Sequence, residues 1–299
     1  MRVVLVGEAM LELSQDGSGQ GDSSWRLAYG GDTLNTAIHL ARNGLDVAYL
    51  TALGTDLFSE DLKARWRAEG LDTTLVLADP ARNPGLYAIT CDEAGERSFT
   101  YWRGESAARK LFGCAGIEAA LESAATADLL AFSLVSLAIL PEEGRQALIS
   151  LARKVRARGG LVAFDGNYRP RLWPDWQTAR AARDAAIAVA SLGLPTLEDE
   201  TMLSGETGAD AVAAHWQGLG CAETVVKLGP EGCRLPDGAI VAPERVLAPV
   251  DTSGAGDAFN AGYLGARLRG EAPAQAAIAG HALAGWTIMR RGAIPVRDF

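Results

Sequence analysis

Near the C-terminus, two acids flank a group of small residues in the segment Asp251–Asp257, which reads DTSGAGD. Gly254, Ala255 and Gly256 leave their backbone N–H groups unobstructed, and a helical pattern of small residues follows. Amides at the start of a helix stabilise an anion together with the helix dipole. An acid at this place can cap the helix, or it can accept a hydroxyl proton while the amides hold a phosphoryl group. The segment therefore predicts either a capped buried helix or a phosphoryl-transfer site with Asp257 as its base.

A glycine pair stands near the N-terminus in the segment Tyr29–Asn35, which reads YGGDTLN. It precedes apolar residues spaced at i, i+3, i+4 and i+7, which is the spacing of an amphipathic helix. Taken alone, a glycine pair at this place indicates no more than a turn before the helix.

Two arginines follow segments that carry tyrosine or asparagine side chains. Arg103 follows Tyr101 at the end of one predicted strand, and Arg169 follows Asn167 where another predicted strand ends. Ligands bind in α/β proteins at this carboxyl edge of the sheet, and arginine can bind a carboxylate through two N–H groups. Two arginines brought to one site would suit a ligand that carries a carboxylate better than a neutral ligand. The alternative is that each arginine forms a solvated or structural salt bridge.

A glycine-containing loop, Lys227–Gly232, follows a further predicted strand and reads KLGPEG. Taken alone, it predicts an ordinary tight turn. The P-loop pattern G-x-x-x-x-G-K-[ST] occurs nowhere in the sequence, which excludes a P-loop kinase. The first predicted strand is not followed by G-x-G-x-x-G, which argues against a dinucleotide-dependent oxidoreductase.

The elements that must position these residues alternate between short apolar runs and helical patterns. This alternation predicts βαβ units and a mostly parallel sheet in a single α/β domain spanning residues 1–299. The predicted strands are Val3–Val6, Val47–Leu53, Leu129–Ser133, Leu161–Phe164 and Thr224–Leu228. The predicted helices are Asp32–Arg42, one that Ser59 caps, Glu142–Arg156, Trp176–Ala190, Gly256–Leu268 and Pro273–Met289.

One region departs from that alternation and predicts a small second sheet. Gly85–Cys91 and Arg97–Trp102 are strand-like runs joined by the polar turn Asp92–Glu96, which is typical of a β-hairpin. With Leu11–Leu13 and Ser24–Tyr29, the hairpin predicts a lid that projects from the carboxyl edge of the main sheet. We expect this lid to come from residues 11–30 and 73–104.

Composition limits the classes of function. The chain has 299 residues, 48% of them hydrophobic and 22% charged, with a net charge of −9, so we expect a globular protein with no nucleic-acid or anionic-membrane partner. Its longest apolar stretch, Ala127–Leu140, is interrupted by serines and is too short for a membrane span. The first ten residues resemble a strand and not a signal peptide, which predicts cytoplasmic residence. The four cysteines are scattered, so neither a zinc site nor a disulfide framework is expected; they are Cys91, Cys114, Cys221 and Cys233.

The two glycine motifs, in this order, resemble those of the ribokinase-like (PfkB) carbohydrate kinases, whose C-terminal signature is D-T-x-G-A-G-D. The resemblance covers essentially the whole chain. It implies a ribokinase-like three-layer fold with a mostly parallel central sheet and a small β-sheet lid, and ATP and Mg²⁺ as cofactors. It further implies that Asp257 is the base, that Gly254, Ala255 and Gly256 form the anion hole, and that Gly31 and Asn35 line the sugar site.

Within that family the sequence is most similar to the 2-keto-3-deoxygluconate kinases, which carry a GGDTLN-like segment, a lid tyrosine, Y-x-R and D-x-N-x-R. This resemblance implies phosphorylation of the terminal (6-) hydroxyl of a keto-deoxy sugar acid. The residues implied to bind the acid are Tyr87, Tyr101, Arg103 and Arg169. Those implied to lie near ATP are Asn167, Arg169, Lys227, Gly229, Gly232, Gly254 and Gly256. The open alternatives are fructokinase or ribokinase activity on a neutral sugar, and a non-catalytic sugar-binding relative.

Many members of the family carry N-x-x-E before a helix, where the acid organises magnesium through water. Here Thr196 stands in place of the Asn and Asp199 in place of the acid, while acidic capping of a helix is the alternative. Which of Glu198, Asp199 and Glu200 faces the metal is left open by the sequence. The resemblance also implies a monovalent cation such as K⁺ near Asp251. The sequence leaves the oligomeric state open, although lid sheets with an exposed apolar face often pair, which would give a homo-oligomer through the lid.

Overall fold

The computed structural model describes residues 1–16, 24–91 and 97–297. Across these residues the main sheet has seven strands, all in parallel register. They are β1 (Arg2–Val6), β4 (Asp46–Leu53), β5 (Val76–Ala78), β8 (Leu129–Ser133), β9 (Leu161–Asp165), β10 (Leu192–Gly193) and β11 (Glu223–Thr224). Their spatial order is β11-β10-β9-β8-β1-β4-β5. Because the strands are parallel, their carboxyl ends form one edge, where ligands bind in such sheets.

Helices cover both faces of this sheet. One face packs against α1 (Asp32–Arg42), α2 (Leu57–Ala68), α9 (Ala255–Leu268) and α10 (Pro273–Ile288). The other packs against α3 (Ile117–Ala124), α4 (Leu134–Ile139), α5 (Glu142–Ala157), α6 (Trp176–Ile187), α7 (Leu197–Ser204) and α8 (Ala209–Gly218). In β1, Val3 and Leu5 face the first layer while Val4 and Val6 face the second, so both faces are apolar. The predicted three-layer α/β fold is confirmed.

A second sheet begins where β1 ends. It consists of β2 (Met10–Asp16), β3 (Ser24–Gly30), β6 (Gly85–Cys91) and β7 (Arg97–Trp102), in the order β3-β2-β6-β7. Met10, four residues after the end of β1, pairs with both Gly30 and Gly85. The second sheet therefore begins at the carboxyl edge of the main sheet. The two hairpin strands have the predicted bounds, and the predicted turn Asp92–Glu96 lies outside the described residues.

Three sequence-based predictions of local structure are wrong. Residues 76–78 do not join the second sheet, because Val76–Ala78 pairs with β4 and extends the main sheet. Asp56, and not Ser59, caps α2: its carboxylate accepts the N–H groups of Phe58 and Ser59. The predicted strand Thr224–Leu228 is two strands: β11 belongs to the main sheet, whereas β12 (Val226–Lys227) belongs to a third sheet. In that sheet β12 pairs with β13 (Cys233–Arg234), and β13 pairs with β14 (Ile240–Val241).

The described residues also include the 3₁₀ helices Ala107–Gly113, Pro170–Leu172 and Gly229–Glu231. Every helix in this part of the chain is too short or too polar to span a bilayer.

A buried ion pair fixes α7 to α6. Arg183 Nη1 donates to Glu200 Oε2 at 2.6 Å, and both side chains are almost completely shielded from solvent. Arg183 also binds Asp184 Oδ1 at 2.8 Å and lies 3.0 Å from His215 Nε2. Because a buried charge without a partner is costly, this pair holds the first turn of α7, which carries Asp199, in one position.

Arg183→Met should lower the free energy of unfolding by about 3–5 kcal/mol, because it leaves the Glu200 carboxylate buried without its partner. The double variant Arg183→Met/Glu200→Met should recover most of that loss, since apolar residues often replace a buried pair without cost. Urea unfolding followed by circular dichroism measures both. Arg269→Met, which breaks a half-exposed pair with Glu271, is the control and should change stability by less than about 1 kcal/mol. Equal losses in the single and double variants would contradict the account.

Candidate active site

The start of α9 presents backbone amides that have no acceptor in the described part of the chain. Gly254 has a left-handed conformation with φ of 70°, and a Cβ there would lie 2.5 Å from the Cβ of Ala293, so only glycine fits. Ala255 N–H reaches the carbonyl oxygen of Thr252 at 3.3 Å. Among the described residues, the N–H groups of Gly256 and Asp257 have no acceptor. These amides at a helix N-terminus form a cradle for an anion.

The Asp257 carboxylate is held against α1. Asn35 Nδ2 donates to Asp257 Oδ2 at 2.8 Å, and Thr36 Oγ1 donates to the Asp257 carbonyl at 3.2 Å. Asp257 is partly exposed as a residue, but the surrounding protein removes most of the water around its carboxylate. Burial, followed by the like charge of Asp32, raises the pKa of Asp257 from 3.8 to about 8. The hydrogen bond from Asn35 and the more distant ammonium of Lys227 lower this pKa, and Asp165 raises it. A carboxyl with this pKa suits a general base.

The predicted sugar-site residues meet beside Asp257. Asn35 is buried, and its Oδ1 has no hydrogen-bond partner in the described part of the chain. A Cβ on Gly30 would lie 2.7 Å from the Tyr87 hydroxyl and 3.7 Å from Asn35 Oδ1, which brings these two groups to the same glycine. Gly31 packs so closely on the Glu8 carbonyl that a side chain would collide with it. The structure therefore brings Gly31, Asn35, Tyr87 and Asp257 close together.

The lid contributes two stacked tyrosines. The rings of Tyr87 and Tyr101 stack with centroids 5.8 Å apart, and Tyr101 is about half exposed. The Tyr87 hydroxyl donates to Glu12 Oε2. Burial and the Glu12 carboxylate both raise the pKa of Tyr87 well above its usual value. Because the hydroxyl proton of Tyr87 is donated to Glu12, its oxygen can accept a hydrogen bond from a ligand but has no proton left to donate to one.

The two predicted acid-binding arginines each have a carboxylate partner of their own. Arg103 Nη2 donates to the buried carboxylate of Glu8, while its buried Nε has no partner among the described residues. Arg169 is half exposed and binds Asp199 Oδ1 at 3.1 Å and the Tyr168 carbonyl at 2.6 Å. The structure thus places both arginines near the carboxyl edge but does not bring them into contact with each other.

On the predicted nucleotide side, a compact polar group lies under Gly256. Lys227 Nζ donates to Asp165 Oδ1 at 3.0 Å and to Asn260 Oδ1 at 3.1 Å. Asn260 Nδ2 donates in turn to Asp165 Oδ2 at 2.8 Å. A Cβ on Gly256 would lie 3.6 Å from Lys227 Nζ. Lys227, Asp165 and Asn260 therefore form the floor of the site, together with the Lys227–Gly232 loop.

The remaining predicted nucleotide residues lie around this floor. Asn167 Nδ2 donates to Asp32 Oδ2 at 2.8 Å, which ties the D-x-N-x-R segment to α1. Gly229 and Gly232 both have positive φ, and a Cβ on Gly232 would collide with the Val241 carbonyl. The Lys227–Gly232 loop is therefore a tight turn packed on β14.

The candidate metal residues have different surroundings. Of the three acids of α7, Glu198 is exposed, Glu200 is bound by Arg183, and Asp199 faces Arg169. Burial raises the pKa of Asp199, and the Arg169 guanidinium opposes that rise. Asp251 is buried and accepts the N–H groups of Ser253 at 2.9 Å and Gly292 at 2.8 Å.

In the described ranges, no group of three or more His, Cys, Asp and Glu side chains could hold a metal ion. Mg²⁺ is held in many enzymes by only one or two carboxylates together with substrate phosphates. Asp199 fits that role, because it is the acid of α7 that faces the site.

Several residues of the site were missed at the level of sequence: Glu8, Glu12, Asp32, Asp165 and Asn260. Asp32 lies in the segment YGGDTLN, and Asp165 is the first residue of D-x-N-x-R. Their positions in these motifs were the available signal. Asp32, Asp165 and Asn260 also line a cavity of about 20 Å³ beneath the site, which has room for one water molecule.

Comparison with known proteins gives a family match over nearly the whole chain. The model described as "pfkB family carbohydrate kinase" matches residues 1–298. The sequence is 40% identical over 302 residues to the 2-dehydro-3-deoxygluconokinase of Dickeya dadantii (strain 3937), covering 98% of this chain and 96% of that protein. It is 39% identical over 307 residues to the 2-dehydro-3-deoxygluconokinase of Escherichia coli (strain K12), covering 99% and 98%.

Solved structures share the fold. The PfkB protein from Polaromonas sp. JS666 superposes with a TM-score of 0.86 at 30% identity, covering 99% of this chain and 97% of that one. A putative ribokinase II from E. coli, in complex with ATP and Mg²⁺, gives a TM-score of 0.85 at 22% identity, covering 98% and 94%. The second similarity concerns the fold alone.

Asp257→Asn should make the protein more stable than the parent at high pH, with a difference that vanishes near pH 4. The folded protein keeps a proton on Asp257 up to about pH 8, whereas the unfolded chain loses it near the ordinary pKa of 3.8. The parent's stability therefore falls as the pH rises through this window, and Asn, which cannot ionise, avoids that loss. Melting temperatures measured between about pH 4 and pH 10 test this. Glu244→Gln changes an exposed carboxylate and should show no such trend. A stability difference for Asp257→Asn that is independent of pH would show that the pKa is not raised.

Proposed function

Because the chain belongs to the pfkB family of carbohydrate kinases, we propose that it transfers the γ-phosphoryl group of ATP to the terminal (6-) hydroxyl of 2-keto-3-deoxygluconate. The product would be 2-keto-3-deoxy-6-phosphogluconate. The observation that carries the proposal is the Asp257 carboxylate, held by Asn35 beside the unpaired amides of Gly256 and Asp257. The substrate is supported by relatives at 39–40% identity that are named 2-dehydro-3-deoxygluconokinase, another name for the same activity.

In the proposed reaction, the sugar hydroxyl lies between Asp257 and the γ-phosphate. Asp257, ionised and held by Asn35, accepts the hydroxyl proton as the oxygen attacks phosphorus in line. The unpaired amides at the start of α9 bind the phosphoryl oxygens, whose charge they stabilise in the transition state. Gly254 and Ala255 shape this turn. Mg²⁺ bound with ATP would supply further neutralisation of phosphate charge, with Asp199 as the residue to hold it through water.

ATP would occupy the side of the site that Asn167, Arg169, Lys227 and the Gly229–Gly232 turn surround. Asn167 is oriented by Asp32, and Arg169 is half exposed at the edge of the site. A monovalent cation near Asp251 stays a prediction, and so does cytoplasmic residence. Both oxygens of Asp251 accept backbone N–H groups, so a cation there would draw on other ligands as well.

Recognition of the sugar acid would fall to Arg103 and Arg169. Arg103 has a buried Nε without a partner in the described ranges, which leaves a donor for a substrate carboxylate. Arg169 is half exposed and can turn toward a ligand. Tyr87 and Tyr101 would form the wall of the pocket.

The carboxylate partners of both arginines favour a second candidate function, a kinase of neutral sugars such as fructose or ribose. Glu8 and Asp199 already balance the charges of Arg103 and Arg169, so a substrate carboxylate is not needed for that purpose.

The second sheet would serve as a lid and as an oligomer contact. Trp25, Phe99, Tyr101 and Trp102 of its strands are about half exposed, and β7 is an edge strand in the order of the sheet. An apolar sheet with an open edge favours pairing with a second copy. Closure of the lid over the sugar would exclude water and limit hydrolysis of ATP.

Asp257→Asn should retain binding of sugar and ATP but lose turnover by about two or more orders of magnitude, because the amide cannot accept the hydroxyl proton. A coupled ADP-release assay over keto-deoxy sugar acids, fructose and ribose measures turnover, and calorimetry measures binding. The parent should turn over 2-keto-3-deoxygluconate with the highest kcat/KM of the panel. A near-normal kcat in Asp257→Asn would rule out this base, and a preference for fructose or ribose would favour the second candidate.

Arg103→Ala and Arg169→Ala should raise KM for the keto acid by about tenfold or more, since each removes a charged hydrogen bond to the substrate carboxylate. KM for a neutral sugar should change much less in the same assay. Arg171→Ala, at a neighbouring exposed arginine, is the matched control and should leave both KM values unchanged. Equal effects on acidic and neutral sugars would contradict recognition of the acid by these arginines.

A further inference from the structure

Lys227 is the buried cation of the candidate site, and its side chain is held from two sides. Its ammonium donates to Asp165 at the end of β9 and to Asn260 on α9, and these two partners are hydrogen-bonded to each other. The three residues, named here the Lys227 cluster, therefore form a closed triangle. Such an arrangement fixes the ammonium in space, although lysine is ordinarily a flexible side chain.

The ammonium has one donor more than the cluster uses. A lysine carries three N–H donors, and in the described part of the chain Lys227 Nζ has two acceptors. The residue is 8% exposed, so the ammonium is largely shielded from bulk water. Leaving a buried charge partly unsatisfied is costly, which indicates that a ligand completes it.

The neighbouring backbone indicates where that ligand would lie. Lys227 Nζ lies 3.6 Å from the place of a Cβ on Gly256, and the N–H groups of Gly256 and Asp257 are the unpaired amides of the anion cradle. A side chain at position 256 would stand between the ammonium and this cradle. The absence of that side chain lets one anion contact both the amides and Lys227.

The charges around the cradle also require a cation there. Asp257 is surrounded by Asp32 on α1, Asp165 at the end of β9 and Tyr87 on β6, with Lys227 on β12 as the opposing charge. The acids outnumber the lysine, and a phosphoryl group brings further negative charge. A fixed ammonium beside Gly256 reduces this repulsion where the phosphoryl group would sit.

We propose that Lys227 is a further catalytic residue, which donates its third N–H to the transferring phosphoryl group, and that Asp165 and Asn260 are the positioning residues that hold it. This inference rests on the proposed function. In the step, the bond from the sugar oxygen to phosphorus forms and the bond from phosphorus to the ADP oxygen breaks. The hydroxyl proton passes to Asp257, and Lys227 keeps all its protons throughout.

Lys227→Met keeps an unbranched side chain that is shorter by one heavy atom, and it removes the charge. It should lower kcat by about 10²–10³, the usual effect of losing one donor to a developing oxyanion, while KM for the sugar changes by less than about threefold. Affinity for ADP with aluminium fluoride and Mg²⁺, a mimic of the transferring group, should fall by a similar factor. Affinity for ADP alone should stay unchanged, because the contact is made with the transferring group and not with the nucleotide.

The pH profile separates this role from a purely structural one. The lower limb of kcat/KM against pH reports the ionisation of the base in the free enzyme. Lys227→Met should move this limb to higher pH, because the cation that favours the ionised Asp257 is gone. Asp165→Asn should move it to lower pH, because a neighbouring anion is gone. Glu223→Gln removes half of another ion pair to α9, with Arg267, and as the control it should move nothing.

The outcomes that overturn the inference are separate from those that overturn the proposed function. If Asp257→Asn is inactive but Lys227→Met keeps kcat within about threefold of the parent, only the role of Lys227 falls. Equal weakening of ADP alone and of ADP with aluminium fluoride would make Lys227 an ordinary nucleotide contact and overturn it as well. If Lys227→Met does not fold, Asn260→Ala decides: we expect kcat about tenfold lower with the lysine left in place, and an unchanged kcat refutes the positioning.

Discussion

The hydrogen bond from Asn35 to Asp257 is the contact on which the rest of the site depends. It joins the first helix to the ninth, at residues 222 positions apart in the chain, and so brings the sugar side and the phosphoryl side of the site together. Close approach of the backbone makes it possible. Gly31 lies against the Glu8 carbonyl at the start of α1, and Gly254 lies against Ala293 at the start of α9. A side chain at either glycine would push one of these two helix ends away from its neighbour.

A concentration of like charge is the physical consequence of this arrangement. Asp257 shares a small volume with Asp32 and Asp165, and burial together with these neighbours raises its pKa to about 8. Such a cluster reduces stability at high pH, but it gives the carboxyl the proton affinity that a base needs near neutral pH. The Lys227 cluster and the hydrogen bonds from Asn35 and Asn167 offset part of the repulsion. The site therefore combines a destabilising charge pattern with a rigid scaffold of parallel strands.

Local patterns in the sequence were sufficient for most of the fold. Asp32–Arg42 and Gly85–Cys91 have their predicted bounds, because helical and strand periodicities depend on neighbouring residues. The errors arose where tertiary contacts decide. Val76–Ala78 joins the main sheet because it pairs with a strand that precedes it by more than 20 residues. Asp56 directly precedes α2 and its Oδ1 accepts the N–H groups of Phe58 and Ser59, whereas Ser59 lies inside the helix and its hydroxyl donates to Asp56 Oδ2.

For the site, residue types were predictable but their partners were not. The glycine motifs identified Asp257 and Asn35, because each lies within a few residues of the turn that it serves. The sequence around Arg103 does not indicate that Glu8 is its ion-pair partner, and the sequence around Lys227 does not indicate Asp165. Each pair forms only because strands that are distant in the sequence end close together in the fold. The charge balance of the site, on which substrate choice depends, therefore becomes visible only in three dimensions.

The central claim is that Asp257 directs phosphoryl transfer to the terminal hydroxyl of a keto-deoxy sugar acid. Nuclear magnetic resonance of the product formed from ATP and 2-keto-3-deoxygluconate tests this most directly. The account predicts a phosphorus signal coupled to the two protons of the terminal carbon, with one ester formed for each ADP released. Release of inorganic phosphate without an ester, or an ester on another carbon, would contradict it.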